Sequence, residues 1–169
     1  MLDTPTAEAA APVVRTTQIL VAALTAGLTV MTVILAVIRL TGGGPDEVNP
    51  VLGFIAIGFF LAVATARGVT LSTMATAAPT APSEAAVADS DQPAELLAPF
   101  TKSWQTRQIV GAAMIEGPSL LCAIMGLIGP SWALAGAVVG IVWLLLSVPS
   151  MQSFGGDIAA SRQLDPFDP

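Results

Sequence analysis

The sequence predicts an all-α integral membrane protein: four transmembrane helices in an antiparallel bundle, with both termini cytoplasmic. Three observations predict it. Only 11 % of the 169 residues are charged and 54 % are hydrophobic, with mean hydropathy +0.77. A soluble domain carries about 25 % charged residues, so too little polar surface remains here to face water. Four apolar runs approach the roughly 20 residues needed to cross about 30 Å of hydrocarbon, and backbone polar groups in lipid are satisfied within a segment only by a helix. Finally, Arg15, Arg67, Lys102, Arg107 and Arg162 fall on one side of a four-span arrangement, and Arg39 alone falls on the other. That asymmetry marks a cytoplasmic face, and the expected location is a bacterial inner membrane.

Residues 1–12 are expected to be flexible, and the membrane domain to occupy 13–150. The first span is expected over 16–40, around ILVAALTAGLTVMTVILAVI (Ile19 to Ile38). Arg15 before it suggests a signal peptide, but the apolar stretch is about twice a short h-region. TGGGPDEVNP (Thr41 to Pro50) is turn-rich, and the second span follows over 50–73. Residues 75–95, rich in Ala and Pro and without aromatics, are expected to be a disordered cytoplasmic loop. Leu96, Leu97, Phe100 and Trp104 then recur at helical spacing. They predict a short interfacial helix interrupted at Pro99, with an irregular juxtamembrane lead as the alternative. The third span is expected over 100–129 and the fourth over 131–149. Only Gly129, Pro130 and Ser131 separate their apolar runs, so the two should form a tight hairpin. A flexible tail, 151–169, completes the chain.

Absent residues close off most chemistry. There is no histidine and one cysteine, Cys122. Intrachain disulfides, His- or Cys-based zinc sites and Ser–His or Cys–His catalysis are therefore excluded. The formal charge of −6 and the scattered basic residues argue against nucleic acid. No cofactor and no catalytic residue are expected.

One carboxylate interrupts the apolar pattern. In GAAMIEGPSLL (Gly111 to Leu121), Glu116 lies within the third span. Ionisable residues there are costly and usually face the bundle interior. Gly117 and Pro118 follow it. Proline lacks an N–H and crowds the carbonyl one turn earlier, at Met114, so a helix break or kink is expected here. Candidate polar partners at similar depth are Gln18, Thr25, Thr65, Arg67 and Ser147. Glu116 would then be either a packing carboxylate or a site for an ion, a proton or a partner subunit. The packing role is favoured, because no second acid lies in any span. Small residues at helical spacing mark close helix approach: Gly136 and Gly140 with Ala133 and Ala137, Ala26 with Ala22, Ala23 and Gly27, and Gly58 with Ala62 and Ala66. Trp132 suits an outer aromatic belt, whereas Trp143 is expected to face lipid or a partner. Cys122 is expected to be a packing residue.

QTRQIVGAAMIEGPSLLCAIMGLI resembles the carboxylate-bearing helix of the rotor-ring c subunits of ATP synthases. The resemblance covers about 24 residues, from Arg107 and Gln108 through Gly111, Ala112 and Ala113 to Glu116. It implies that Glu116 is an ion-binding carboxylate. The family's glycine-rich companion helix and short inter-helix loop have no counterpart here. The whole chain is also similar to small four-span bacterial membrane proteins with an acid–Gly pair in helix three and a Pro–Ser or Pro–Thr exit from helix four, here Val148-Pro149-Ser150. That likeness implies the architecture and no activity. The expected role is a non-catalytic structural or accessory subunit, packed in the lipid bilayer with itself or with other membrane subunits. The alternative is a c-subunit-like ring or channel moving H⁺ or Na⁺ through Glu116.

Overall fold

The computed structural model describes residues 4–42 and 49–163. Among these, 87 % are helical and none is in a strand. The elements are α1 (Thr4–Leu40), α2 (Pro50–Thr76), α3 (Glu84–Ala88), α4 (Pro93–Ile128), a 3₁₀ turn (Ser131–Ala133), α5 (Leu134–Leu146) and α6 (Met151–Gln163). Helices α1, α2 and α4, of 37, 27 and 36 residues, are each long and apolar enough to cross a membrane. The fourth apolar run differs from its expected span of 131–149: α5 has 13 residues and stops at Leu146. It qualifies as a span only when Ser131–Leu146 and Met151–Gln163 are counted together as one broken helix. Most of the turn-rich loop, residues 43–48, lies outside the described residues, as do 1–3 and 164–169.

Local chemistry sets the ends. The Asn49 side chain accepts from the Val51 amide at 3.0 Å, and Pro50 fills the first helical position of α2, where a missing N–H costs nothing. Gly42 follows α1 with φ of +87°, the left-handed conformation that closes a helix most easily at glycine. Ser83 caps α3 through the Ala86 amide at 3.3 Å. Before α6, Ser150 and Ser153 bond reciprocally: each backbone amide donates to the other's hydroxyl, at 3.0 and 3.1 Å. This is a capping box with serine in the place of glutamate. The Pro149–Ser150 pair therefore starts a helix as well as ending one.

The described chain divides into two compact units. One comprises Met1–Leu20, Ser72–Ile109 and Pro149–Pro169, and the other comprises Val21–Leu71 and Val110–Val148. The second, apolar unit holds only three described charged residues, Arg39, Arg67 and Glu116. Its inner faces are read from spacing. On α1 a single buried stripe runs Val21, Thr25, Leu28, Thr32, Leu35, alternating three and four residues apart, the spacing of a helix seam. The buried hydroxyl of Thr25 donates back to Val21 O at 2.8 Å, which satisfies it without a partner helix. On α2 the inner face is Gly53, Ala56 and Phe60, and on α5 it is Gly136, Ala137, Gly140 and Leu144.

Absent side chains set the closest approaches. A Cβ at Gly136 would stand 2.6 Å from Cys122 Sγ, and one at Gly140 would overlap the Ser119 hydroxyl. Gly126 against Leu134 completes a series along α4 and α5 that runs in reverse chain order: 126–134, 122–136, 119–140. Gly136 and Gly140 thus hold the packing role expected of them. Ala26 and Gly58 do not: both face outward, and a Cβ at Gly58 would meet nothing within 4 Å. The inward positions on those helices are the threonine–aliphatic stripe and Gly53.

Five expectations about continuity change. α4 is unbroken through Pro99, Gly117 and Pro118. Pro118 and Ser119 are buried, and the Ser119 hydroxyl donates to Ile115 O at 2.6 Å, so packing holds the turn that proline weakens. α1 begins at Thr4, with Thr6 and Ala10 fully buried, inside the stretch expected to be flexible. The expected disordered loop carries α3, whose Val87 is fully buried, and the tail carries α6.

Overpacking a tight contact costs about 1–3 kcal/mol. Gly140→Leu is therefore expected to lower the unfolding free energy in detergent by that amount, read as a lower denaturant midpoint, while Gly58→Leu leaves the midpoint unchanged. Equal midpoints for both variants would contradict the assignment of the α5 face.

Candidate functional site

The mixed unit of Met1–Leu20, Ser72–Ile109 and Pro149–Pro169 contains a polar cluster that the sequence reading missed. Phe154 and Ile158 of α6 are buried together with Ala10 and Val14 of α1, Ala81, and Phe100 and Trp104 of α4. Phe154 sits at the centre of this core. Its ring meets Trp104 edge-on at 5.0 Å between centroids and 89°, and Phe100 at 5.8 Å and 70°. Such edge-to-face pairs add about 0.5–1.5 kcal/mol each beyond burial. Of the four residues expected on a short interfacial helix, Leu97, Phe100 and Trp104 lie on a face of the continuous α4 that the protein covers, and Leu96 is exposed.

Asp157, between Phe154 and Ile158 on the same face of α6, turns this apolar contact into a specific one. Its Oδ2 accepts from Trp104 Nε1 at 2.8 Å and from Arg107 Nη2 in an ion pair. Trp104 and Arg107 are three residues apart on α4, the spacing that puts two side chains on one helix face. The Arg107 and Asp157 side chains retain 18 % and 34 % of their exposure, so solvent screens the pair in part. Beside it opens a cleft of about 260 Å³ lined by Thr76, Thr80, Ser103, Arg107, Asp157 and Ser161, among others. Elsewhere in this unit Arg162 donates from Nε to Pro82 O at 2.9 Å and from Nη1 to Glu84 at 2.8 Å. Both clusters fasten α6 to the 72–109 segment. The signal in the sequence for the Asp157 cluster was the 97–100–104–107 spacing, whose partner lies some fifty residues further along the chain.

Glu116 is half-buried on α4, and its carboxylate takes no hydrogen bond or ion pair from any described residue. None of the five expected partners bonds to it. Gln18 Nε2 donates to Pro149 O at 2.9 Å, Thr25 to Val21 O and Thr65 to Leu61 O. Arg67 Nε donates to Gly111 O at 2.9 Å. The Ser147 amide closes α5 by donating to Trp143 O and Leu144 O. Two neighbours of Glu116, Ala113 and Gly117, are exposed. Cys122 is buried against Gly136. The Trp132 ring meets Phe54 tilted at 55° with centroids 5.1 Å apart, and Trp143 lies beneath Arg67. Among the described residues, no three His, Cys, Asp or Glu side chains converge on a point that could hold a metal ion.

Compared with protein-family models, with curated proteins and with solved structures, the chain has no match.

A charge-assisted hydrogen bond contributes about 1.5–3 kcal/mol when shielded, and exposure reduces that here. Asp157→Leu should therefore destabilise the protein by about 1–2 kcal/mol and shift tryptophan emission, as the Trp104 indole loses its acceptor. Asp157→Asn, which keeps an acceptor oxygen, should preserve most of the emission. Limited proteolysis near α6, faster in Asp157→Leu, is the second readout, and unchanged cleavage would contradict the clamp.

Proposed function

We propose that this chain is a non-catalytic subunit of the bacterial inner membrane, crossing it four times with both termini cytoplasmic, and that it packs with copies of itself or with other membrane subunits. The topology is supported by the core around Phe154. It gathers residues from the N-terminal segment, the middle segment and the C-terminal segment, so these three lie on one side of any membrane. An even number of crossings must then separate each from the next. Residues 21–71 supply two through α1 and α2, and 110–148 supply two through α4 and α5. The 3₁₀ turn and α5 together reach about 26 Å, close to the roughly 30 Å of a hydrocarbon core. The bias of basic residues toward the side of the three segments is the cytoplasmic signature.

The association is carried by one observation: Glu116 sits in a membrane helix with no partner in its own described chain. An unpaired carboxylate in hydrocarbon is costly. Its partner therefore comes from outside the described residues, and the exposed small residues Ala113 and Gly117 beside it let another helix approach closely. The same observation favours a second reading, a homo-oligomeric ring or channel in which that outside partner is H⁺ or Na⁺. The resemblance of the Gln105–Ile128 segment to rotor-ring c subunits points the same way.

Two substitutions separate the readings, with native mass and ion flux into proteoliposomes as readouts. Under the packing reading, Glu116→Gln keeps the assembly because the amide still hydrogen-bonds. Glu116→Leu reduces it to the 17.1 kDa chain with unchanged helicity. Under the ring reading, Glu116→Gln keeps the assembly but abolishes flux. A wild-type protein that runs only as a single, unaccompanied chain would contradict both.

A further inference from the structure

A second charged side chain of the apolar unit also looks outside the chain, and its geometry is more specific. Arg67 lies on α2, four residues before Leu71, where that unit's share of the helix ends. At 1.5 Å per residue this is about 6 Å along the axis. Its Nε donates to Gly111 O of α4 at 2.9 Å, and its Cζ stands 5.8 Å from the centroid of the Trp143 ring of α5. Gly111 makes room for this: a Cβ there would lie 3.3 Å from Arg67 Nη2 and 3.2 Å from Leu71 Cδ1. The guanidinium is thus held at one edge and beneath one face. Nη1 and Nη2 bond to no described residue and are not sealed from the surface. No described carboxylate pairs with Arg67, since the two ion pairs are Arg107–Asp157 and Arg162–Glu84.

A guanidinium oriented in this way presents its N–H fork to a planar or tetrahedral oxyanion, which it grips with two parallel bonds. In the proposed topology the supporting elements are membrane helices, and Trp143 lies three residues before the end of α5, where a tryptophan beside an arginine marks the headgroup level. We propose that Arg67, Gly111 and Trp143 form a site for the phosphate of an anionic membrane lipid, with Trp143 lying beneath the ion pair. Free phosphate shares the oxyanion chemistry but lacks acyl chains to place along the apolar outer face. That face includes the exposed Val69 of α2 and Val142 of α5.

The test titrates the delipidated, detergent-solubilised full chain with phosphatidylglycerol and follows both retained lipid by native mass spectrometry and tryptophan emission. Wild type should bind one lipid most tightly, with an emission change that Trp143→Phe abolishes. Arg67→Gln should weaken that binding at least tenfold. Arg67→Lys should weaken it less, because the charge remains while the fork is lost. Diacylglycerol, which lacks phosphate, should not bind, and inorganic phosphate at millimolar concentration should not displace the lipid. Equal affinity of wild type and Arg67→Gln would overturn the site. So would equal wild-type retention of diacylglycerol, a comparison that needs no variant to fold. Saturation of the same emission change by inorganic phosphate alone would show a free-anion site and overturn the lipid assignment.

Discussion

The packing of α6 against α4 constrains everything else in this protein. Phe154 fills the space between Phe100 and Trp104, and Asp157 fixes the register by accepting from Trp104 and Arg107. Ala10 and Val14 join the same core from the start of α1. Three segments far apart in sequence must therefore meet, and in the proposed topology they can do so only if each membrane excursion returns to its starting side. The contact that stabilises a small aqueous unit would then also specify how many times the chain crosses.

Within the apolar unit, shape replaces the hydrophobic effect as the source of specificity, because lipid tails are as apolar as the side chains they would replace. Gly53, Gly126, Gly136 and Gly140 admit side chains that a methyl group would exclude. Hydroxyls such as Thr25 and Ser119 are satisfied by their own helix backbone, so they impose no partner. Arg67 and Glu116 are different. One is oriented by a carbonyl and an indole ring without a carboxylate partner, and the other has no partner among the described residues. In the proposed reading both take groups supplied by the surroundings, namely lipid phosphate for the first and a neighbouring subunit or an ion for the second.

Much of this was legible in the sequence and some was not, for physical reasons. Helix content and membrane character follow from composition and run length, which hydrophobicity alone decides. The Gly136–Gly140 face was legible because two glycines one turn apart in an aliphatic helix serve little purpose except close approach. Ala26 and Gly58 looked similar yet face outward, because on α1 the threonine–leucine stripe and on α2 Gly53 offered better-shaped inner faces. Pro99 and Pro118 suggested breaks, but α4 continues through both, Pro118 being buried against its surroundings and Pro99 exposed. The Asp157 clamp was not legible: Arg107 and Trp104 carried the spacing, but nothing in the tail marked Asp157 as their partner. The Ser150–Ser153 box, which starts α6, was a readable signal that the Pro–Ser exit of the preceding helix obscured.

The most direct test of this account is sidedness. With Cys122 replaced by serine, single cysteines at Glu8, Asp89 and Gln163 place one probe in each of the three segments that share the core, and one at Asn49 probes the loop between α1 and α2. In intact cells a membrane-impermeant maleimide should leave the first three unmodified until the membrane is opened, while the cysteine at position 49 reacts from outside. Modification of any one of the three from outside, with the other two protected, would contradict a core built from segments on one side of the membrane.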